Sequence, residues 1–143
     1  MNANRLCIVA AALVALSGVH AQERGAQQAG AAAAPKPLLT KPLAGIEGKE
    51  GLMLTVDIPP GGDSPPHRHN ANTFVYVLEG SVVMQVAGQP AVTVSKGQTF
   101  YESPTDVHTV SRNASKTEPA RILVFMVKDQ GAPVTVPAAA PQQ

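Results

Sequence analysis

The chain has 143 residues, with 11 Lys and Arg against 10 Asp and Glu; 44% of it is hydrophobic, 15% charged and 3% aromatic. That is enough for one domain with a single modest core, and the near-zero charge excludes attraction to polyanions or acidic lipids as a driving force, so no nucleic-acid partner is expected. Thirteen Pro, 12 Gly and no Trp suit a globular domain with low-complexity ends rather than a coiled coil.

In chain order, Asn2 to Arg5 is a short basic head and Leu6 to Leu16 (LCIVAAALVAL) an apolar run of signal-peptide length. The run falls short of the ~20 residues of a membrane span. Val19-His20-Ala21 then supplies a cleavage site ahead of the polar Gln22-Glu23-Arg24. Residues 1–21 read as a cleaved secretory signal, with an N-terminal anchor as the alternative. The mature protein is expected to be periplasmic or secreted and free of the membrane. Loss of Arg5 leaves it formally neutral, and loss of Cys7, the lone cysteine, leaves it without thiols or disulfides. Residues 22–37 read as an Ala/Gln/Pro-rich linker, 38–130 as the folded domain and 131–143 as a disordered tail.

Between the tails the apolar pattern has a period of two, which predicts strands throughout. Leu52, Leu54, Val56 and Ile58 alternate with Met53, Thr55 and Asp57, and Pro59-Pro60-Gly61-Gly62 ends that strand. Further strands are predicted at 66–69, 73–78, 81–87, 91–95, 98–102, 107–111 and 120–128. Hairpin reversals are predicted at Glu79-Gly80, Gly88-Gln89-Pro90 and Lys96-Gly97. This spacing indicates an all-β sandwich or barrel. Strands 73–78 and 122–127 are apolar on both faces, which calls for a second burial partner, another sheet or another subunit.

With His20 in the signal, only His67, His69 and His108 remain. His67 and His69 are two apart in an extended segment, so their side chains share a face with Cα atoms roughly 6.6 Å apart. Two such imidazoles converge on one cation, and His108 joins them if the sheet closes. Three imidazoles form an open metal site.

The stretch Gly61 to Gly80 resembles the first motif of the cupins, G(X)5HXH(X)3,4E(X)6G, with Gly61, His67, His69 and Gly80 in register. Gly97 to Asn113 resembles the second, G(X)5PXG(X)2H(X)3N, through Gly97, His108 and, one residue late, Asn113. The likeness extends over residues 45–128. It implies an antiparallel jelly-roll β-barrel, a homodimer, and a divalent metal held inside by the motif histidines. Two departures stand out. Thr73 occupies the place of the usual glutamate ligand, and Ser103 and Thr105 stand where the motif has Pro and Gly, with Pro104 between them.

Without that carboxylate, three neutral imidazoles leave the ion's charge uncompensated, which favours an anionic or chelating ligand and an acidic metal-bound water. The set suits Fe, Zn, Ni or Cu and suits Mn less. Glu102, Asn70 and Asn72 are expected on the surface or in turns, and Gln85 is the best candidate for an inward hydrogen bond near the metal. Alternation places Tyr76 outside with Phe74 and turns Arg68 away from the site; Tyr101 is a candidate for orienting a substrate. Asn113-Ala114-Ser115 marks a surface turn. Two functions follow: a dioxygenase-like enzyme on a small chelating substrate, with Val75, Val77 and Val110 lining its pocket, or a non-catalytic module binding a metal or small molecule. Either takes a small-molecule ligand.

Overall fold

The structure, a computed structural model, describes residues 33–139. The predicted signal (1–21) and most of the predicted linker lie outside the described residues. What is described is all β: two antiparallel sheets facing each other in a jelly-roll barrel, with no helix. The first sheet runs in the order β1 (Ala34–Pro42), β2 (Lys49–Ile58), β10 (Ala120–Asp129), β5 (Asn72–Glu79), β8 (Thr99–Glu102). The second runs β11 (Val136–Pro137), β4 (His67–Arg68), β9 (His108–Asn113), β6 (Ser81–Val86), β7 (Val92–Ser95), and β3 (Asp63–Ser64) also pairs with β9.

Alternation sets the inside. Leu52, Leu54 and Ile58 of β2 are buried, as are Ala120, Ile122, Val124 and Met126 of β10 and Val75 and Val77 of β5. Registers carry these into continuous rows. Leu54 pairs with Val124, Val124 with Val75 and Val75 with Phe100. One step along, Leu52 pairs with Met126, Met126 with Thr73 and Thr73 with Glu102. The second row therefore turns from aliphatic to acidic as it nears the β8 edge. Full burial of one such aliphatic side chain contributes about 1.5–3 kcal/mol, so the β2–β10–β5 face is where stability concentrates.

Of the three expected hairpins, only the one at Gly88 forms, joining β6 to β7. Gly80 and Lys96-Gly97 instead pass the chain from one sheet to the other, because β5 and β8 belong to the first sheet and β6 and β7 to the second. At Gly80 the crossing is tight: φ is +66° and an added Cβ would lie 2.6 Å from the Pro119 carbonyl oxygen. Two ends also differ from the compositional reading. The 34–37 part of the expected linker opens β1, paired along β2, and the C-terminal segment supplies β11, paired with β4. Proline content obscured both, since edge strands tolerate Pro where central strands do not.

Asn113 is buried and fully engaged. Its Nδ2 donates to the carbonyls of Ile58, Pro59 and Glu118 at 2.9–3.1 Å, and its Oδ1 accepts from the Ser115 amide at 2.8 Å. It clips the Pro59–Gly62 loop to the end of β9 and is not the exposed turn residue that the Asn-Ala-Ser pattern suggested. On the outside of the first sheet Phe125, Phe74 and Tyr101 lie in register across β10, β5 and β8. Tyr76 stands on the same outer face, as its alternation with Thr73 requires, and all four rings are exposed.

Candidate metal centre

Pro65-Pro66 cannot donate to a ladder, and the two-residue β4 that follows meets β9 at a single pair, His67 opposite His108. His69 lies two residues beyond His67 on the same face, and Asn70, with φ +47°, then turns the chain away. The three rings gather inside the barrel with centroids 4.9 Å (His67–His69), 5.3 Å (His67–His108) and 6.3 Å (His69–His108) apart. Sequence spacing and a closed sheet thus bring together the three residues expected to meet.

Their hydrogen bonds orient them. His67 Nδ1 lies 2.9 Å from the Pro65 carbonyl oxygen and His69 Nδ1 2.6 Å from that of Val134. A carbonyl only accepts, so both Nδ1 atoms carry the proton, and in the neutral rings Nε2 keeps its lone pair. His108 is 2% exposed, packs edge-on to Phe100 with centroids 5.7 Å apart, and has no hydrogen-bond partner at either ring nitrogen. Burial first, then His67 and His69, pushes its pKa down to about 3. Burial likewise lowers that of His69, against the Val134 hydrogen bond, which raises it. Both are neutral imidazoles at physiological pH, the form that coordinates a metal.

Glu102 completes the group. It is 3% exposed, with Oε1 3.2 Å from His108 Nε2 and Oε2 3.5 Å from His69 Nε2. Burial, reinforced by Asp106, pushes its carboxyl up to about 8. Glu102 is therefore an inward, buried residue and not the surface or turn residue expected of it. Within Thr99-Phe100-Tyr101-Glu102, Phe100 and Glu102 share the inner face and Tyr101 the outer one. That parity was the available signal. Directly across from Glu102, Thr73 has its hydroxyl buried without a partner.

The other polar candidates fall elsewhere. Gln85 faces away from the inward Met84 and donates to the Gln89 carbonyl oxygen at 3.0 Å, so it supplies no hydrogen bond to the site. Asn72 accepts from the Tyr101 hydroxyl at 2.7 Å in an exposed contact, and Arg68 is exposed. Of the valines expected to line a pocket, Val75 does, whereas Val77 is wholly buried core and Val110 pairs with Gln85 on the β6–β9 ladder.

Among the described residues, no group of three or more His, Cys, Asp or Glu side chains is placed so that it could hold a metal ion as it stands. The donor chemistry nevertheless fits a divalent metal. Two imidazoles have Nδ1 tied back, a third has Nδ1 without a partner and Nε2 facing only Glu102, and that buried carboxyl has no described Lys or Arg on the cavity wall to balance it.

The donors occupy the head of a cavity of about 440 Å³ whose opposite wall is Leu54, Val56, Ile58, Ile122, Val124 and Met126. The C-terminal segment closes one side. Buried Lys128 donates to Glu50 Oε1 (2.5 Å) and to the carbonyls of Asp129 (3.1 Å) and Ala132 (2.6 Å), holding the turn after β10. The chain then crosses to the second sheet, presents the Val134 carbonyl to His69, and docks as β11, with the Ala138 amide donating to the Pro66 carbonyl oxygen.

Over residues 54–126, a little over half of the chain, the sequence matches the cupin domain family. No curated protein matches it in sequence. Among solved structures it is similar to oxalate oxidase in complex with the substrate analogue glycolate, at 27% identity over 73% of this chain and 54% of that one, with a TM-score of 0.58. It is similar to the TT1209 protein from Thermus thermophilus, at 25% identity over 67% and 83% of the two chains, with a TM-score of 0.54. The DMSP lyase DddQ from Ruegeria pomeroyi shares the fold at 22% identity over 61% and 42%, with a TM-score of 0.54. The chain thus spans about half of the oxalate oxidase chain and less than half of the lyase chain.

Proposed function

Since this chain belongs to the cupin domain family, we propose that it holds one divalent transition metal through His67, His69, His108 and Glu102 and offers it to a small molecule in the cavity. The observation that carries the reading is Glu102, a buried carboxyl set between two histidine Nε2 atoms with no described cationic side chain on the cavity wall. Adding it changes the electrostatics expected from three histidines alone. One carboxylate lowers the net charge at the centre and supplies a hard oxygen donor, so Mn joins Fe, Zn, Ni and Cu as a fit.

A bound metal would supply Lewis acidity and, with Fe, Mn or Cu, redox chemistry. The chain's own contribution is orientation and exclusion. The carbonyls of Pro65 and Val134 hold two imidazoles in one tautomer, the aliphatic wall keeps water away, and Glu102 is the one described wall group besides the histidines able to hold or give up a proton near neutral pH. Likeness to oxalate oxidase supports an oxidative enzyme. The second reading, a non-catalytic binding module, is favoured by the remaining polar side chains of the described wall, which are hydroxyls only: Ser64, Thr73, Ser111 and Thr135. In either case the periplasmic or secreted location drawn from residues 1–21 is part of the proposal.

Elemental mass spectrometry on untagged protein from its native compartment tests the reading, alongside His67→Ala, His108→Ala and Glu102→Gln. One equivalent of metal in the wild type, reduced in every variant, is the expected result. A wild type without metal overturns it. Oxygen uptake by the loaded protein with small chelating substrates separates enzyme from binding module.

A further inference from the structure

We infer that the cavity takes a molecule with one oxygen-bearing head and an aliphatic body in preference to a small dianion. The position of the head rests on the metal reading above; the nature of the body rests on the cavity wall alone.

The polarity of the cavity is one-sided. In the row Leu52–Met126–Thr73–Glu102 the character changes from hydrocarbon to hydroxyl to carboxyl across four strands, while the adjacent row, Leu54–Val124–Val75–Phe100, is hydrocarbon throughout. Every charged or metal-binding group on the described wall lies at the acidic end, on β4 or β9, or at His69 just after β4. Among the described residues, no Lys, Arg, Asn or Gln and no aromatic carbocycle lines the cavity, so nothing beyond the head can pair with a second carboxylate or stack on a flat ring. A second anionic group at the far end of the body would be driven against Leu54, Val56 and Val124, where it loses water and gains no partner.

Size points the same way. At about 440 Å³ the cavity falls within the ~300–1,000 Å³ of typical small-molecule sites. A two-carbon acid would leave most of the aliphatic wall uncovered. The exposed residues of the described lining include Pro35, Pro65 and Pro137, and no Lys or Arg stands among the lining to capture an anion.

The test is calorimetric titration of metal-loaded and metal-stripped protein with straight-chain 2-oxo acids from pyruvate to 2-oxooctanoate, with oxalate and glycolate for comparison. Burial of each methylene should tighten binding about fourfold until the chain fills the cavity, with oxalate no tighter than pyruvate. Val56→Asp, at a half-buried wall position, should weaken the longest acid more than it weakens pyruvate, by at least the gain that two methylenes give. A flat series, or oxalate tighter than the longest acid, overturns the inference. The two readings fail separately. If the protein takes up no metal but the chain-length slope persists, the metal centre falls and the cavity assignment stands; if metal binds and the slope is flat, the reverse holds.

Discussion

Thr73 on β5 and Glu102 on β8 are direct cross-strand partners on the inner face of the first sheet, so the carboxyl that the first motif lacks stands one strand over, beside the position it would have occupied. Neighbouring strands lie about 4.8 Å apart, a gap that a glutamate side chain bridges. Replacing Glu102 by Gln is expected to weaken metal binding by on the order of 10–100-fold, at least the loss typical of an outer partner of a ligand. Moving the carboxylate back, with Thr73→Glu and Glu102→Thr together, should recover most of it. Competition with a chromophoric chelator measures both. An affinity unchanged in Glu102→Gln would remove Glu102 from the site.

That pair also marks how far the sequence could be read. The inner and outer faces of β2 were legible because apolar and mixed residues alternate through Leu52–Ile58, whereas β5 and β10 are apolar on both faces in sequence and only their burial pattern tells inside from outside. The meeting of His67, His69 and His108 was legible because two motifs carried them in order. Glu102 was not, since its inward aim depends on which strand pairs with β5 and in what register, a long-range fact that local alternation leaves open. The role of the C-terminal segment was hidden for another reason. Its composition is that of a tail, and its order comes from partners far away in sequence: Pro66, His67, Arg68 and His69.

The metal-stripped protein should have a stability maximum in pH. Glu102, raised from 4.5 to about 8 in the fold, contributes stability that is complete below 4.5 and lost as pH rises through 8. His108, lowered from 6.5 to about 3, contributes stability that is present above 6.5 and lost as pH falls through 3. Between 4.5 and 6.5 the two trends oppose each other, and His69, whose pKa burial also lowers, adds to the gain with rising pH; above 6.5 the Glu102 loss alone remains. Urea midpoints across pH should therefore climb to a maximum near 6.5 and fall as pH rises through 8. In Glu102→Gln the alkaline fall should vanish, and its persistence there would assign it to another group.

The exposed row Phe125–Phe74–Tyr101, with ring centroids 6.3 Å and 5.2 Å apart in sequence along the row, is proposed to be covered by a second copy of the chain. Interface cores favour aromatic rings and exclude charge, and this groove, walled also by Tyr76 and Leu123, contains no charged residue among those described. Sedimentation velocity should find a dimer, and Phe74→Glu should yield a monomer with its metal content intact. A wild type that stays monomeric at the highest concentration it tolerates would leave the face without this role.

The segment after β10 is expected to act on the metal through His69 rather than through bulk stability. Deleting residues 132–143 removes the Val134 carbonyl that fixes the His69 tautomer at 2.6 Å, together with β11. Lys128→Met loosens the same turn from its other end and strands Glu50 without its partner, a class of change that costs about 3–5 kcal/mol. A double-mutant cycle distinguishes positioning from folding. Truncation should cost roughly tenfold or more in metal affinity when His69 is present and little in a His69→Ala background, because the ring it positions is already gone. Nitrogen-15 shifts of the His69 ring, read without metal, should show a single Nδ1–H tautomer in the full chain and a mixture after truncation. Equal losses of affinity in both backgrounds, with the tautomer unchanged, would reduce the segment to a structural edge.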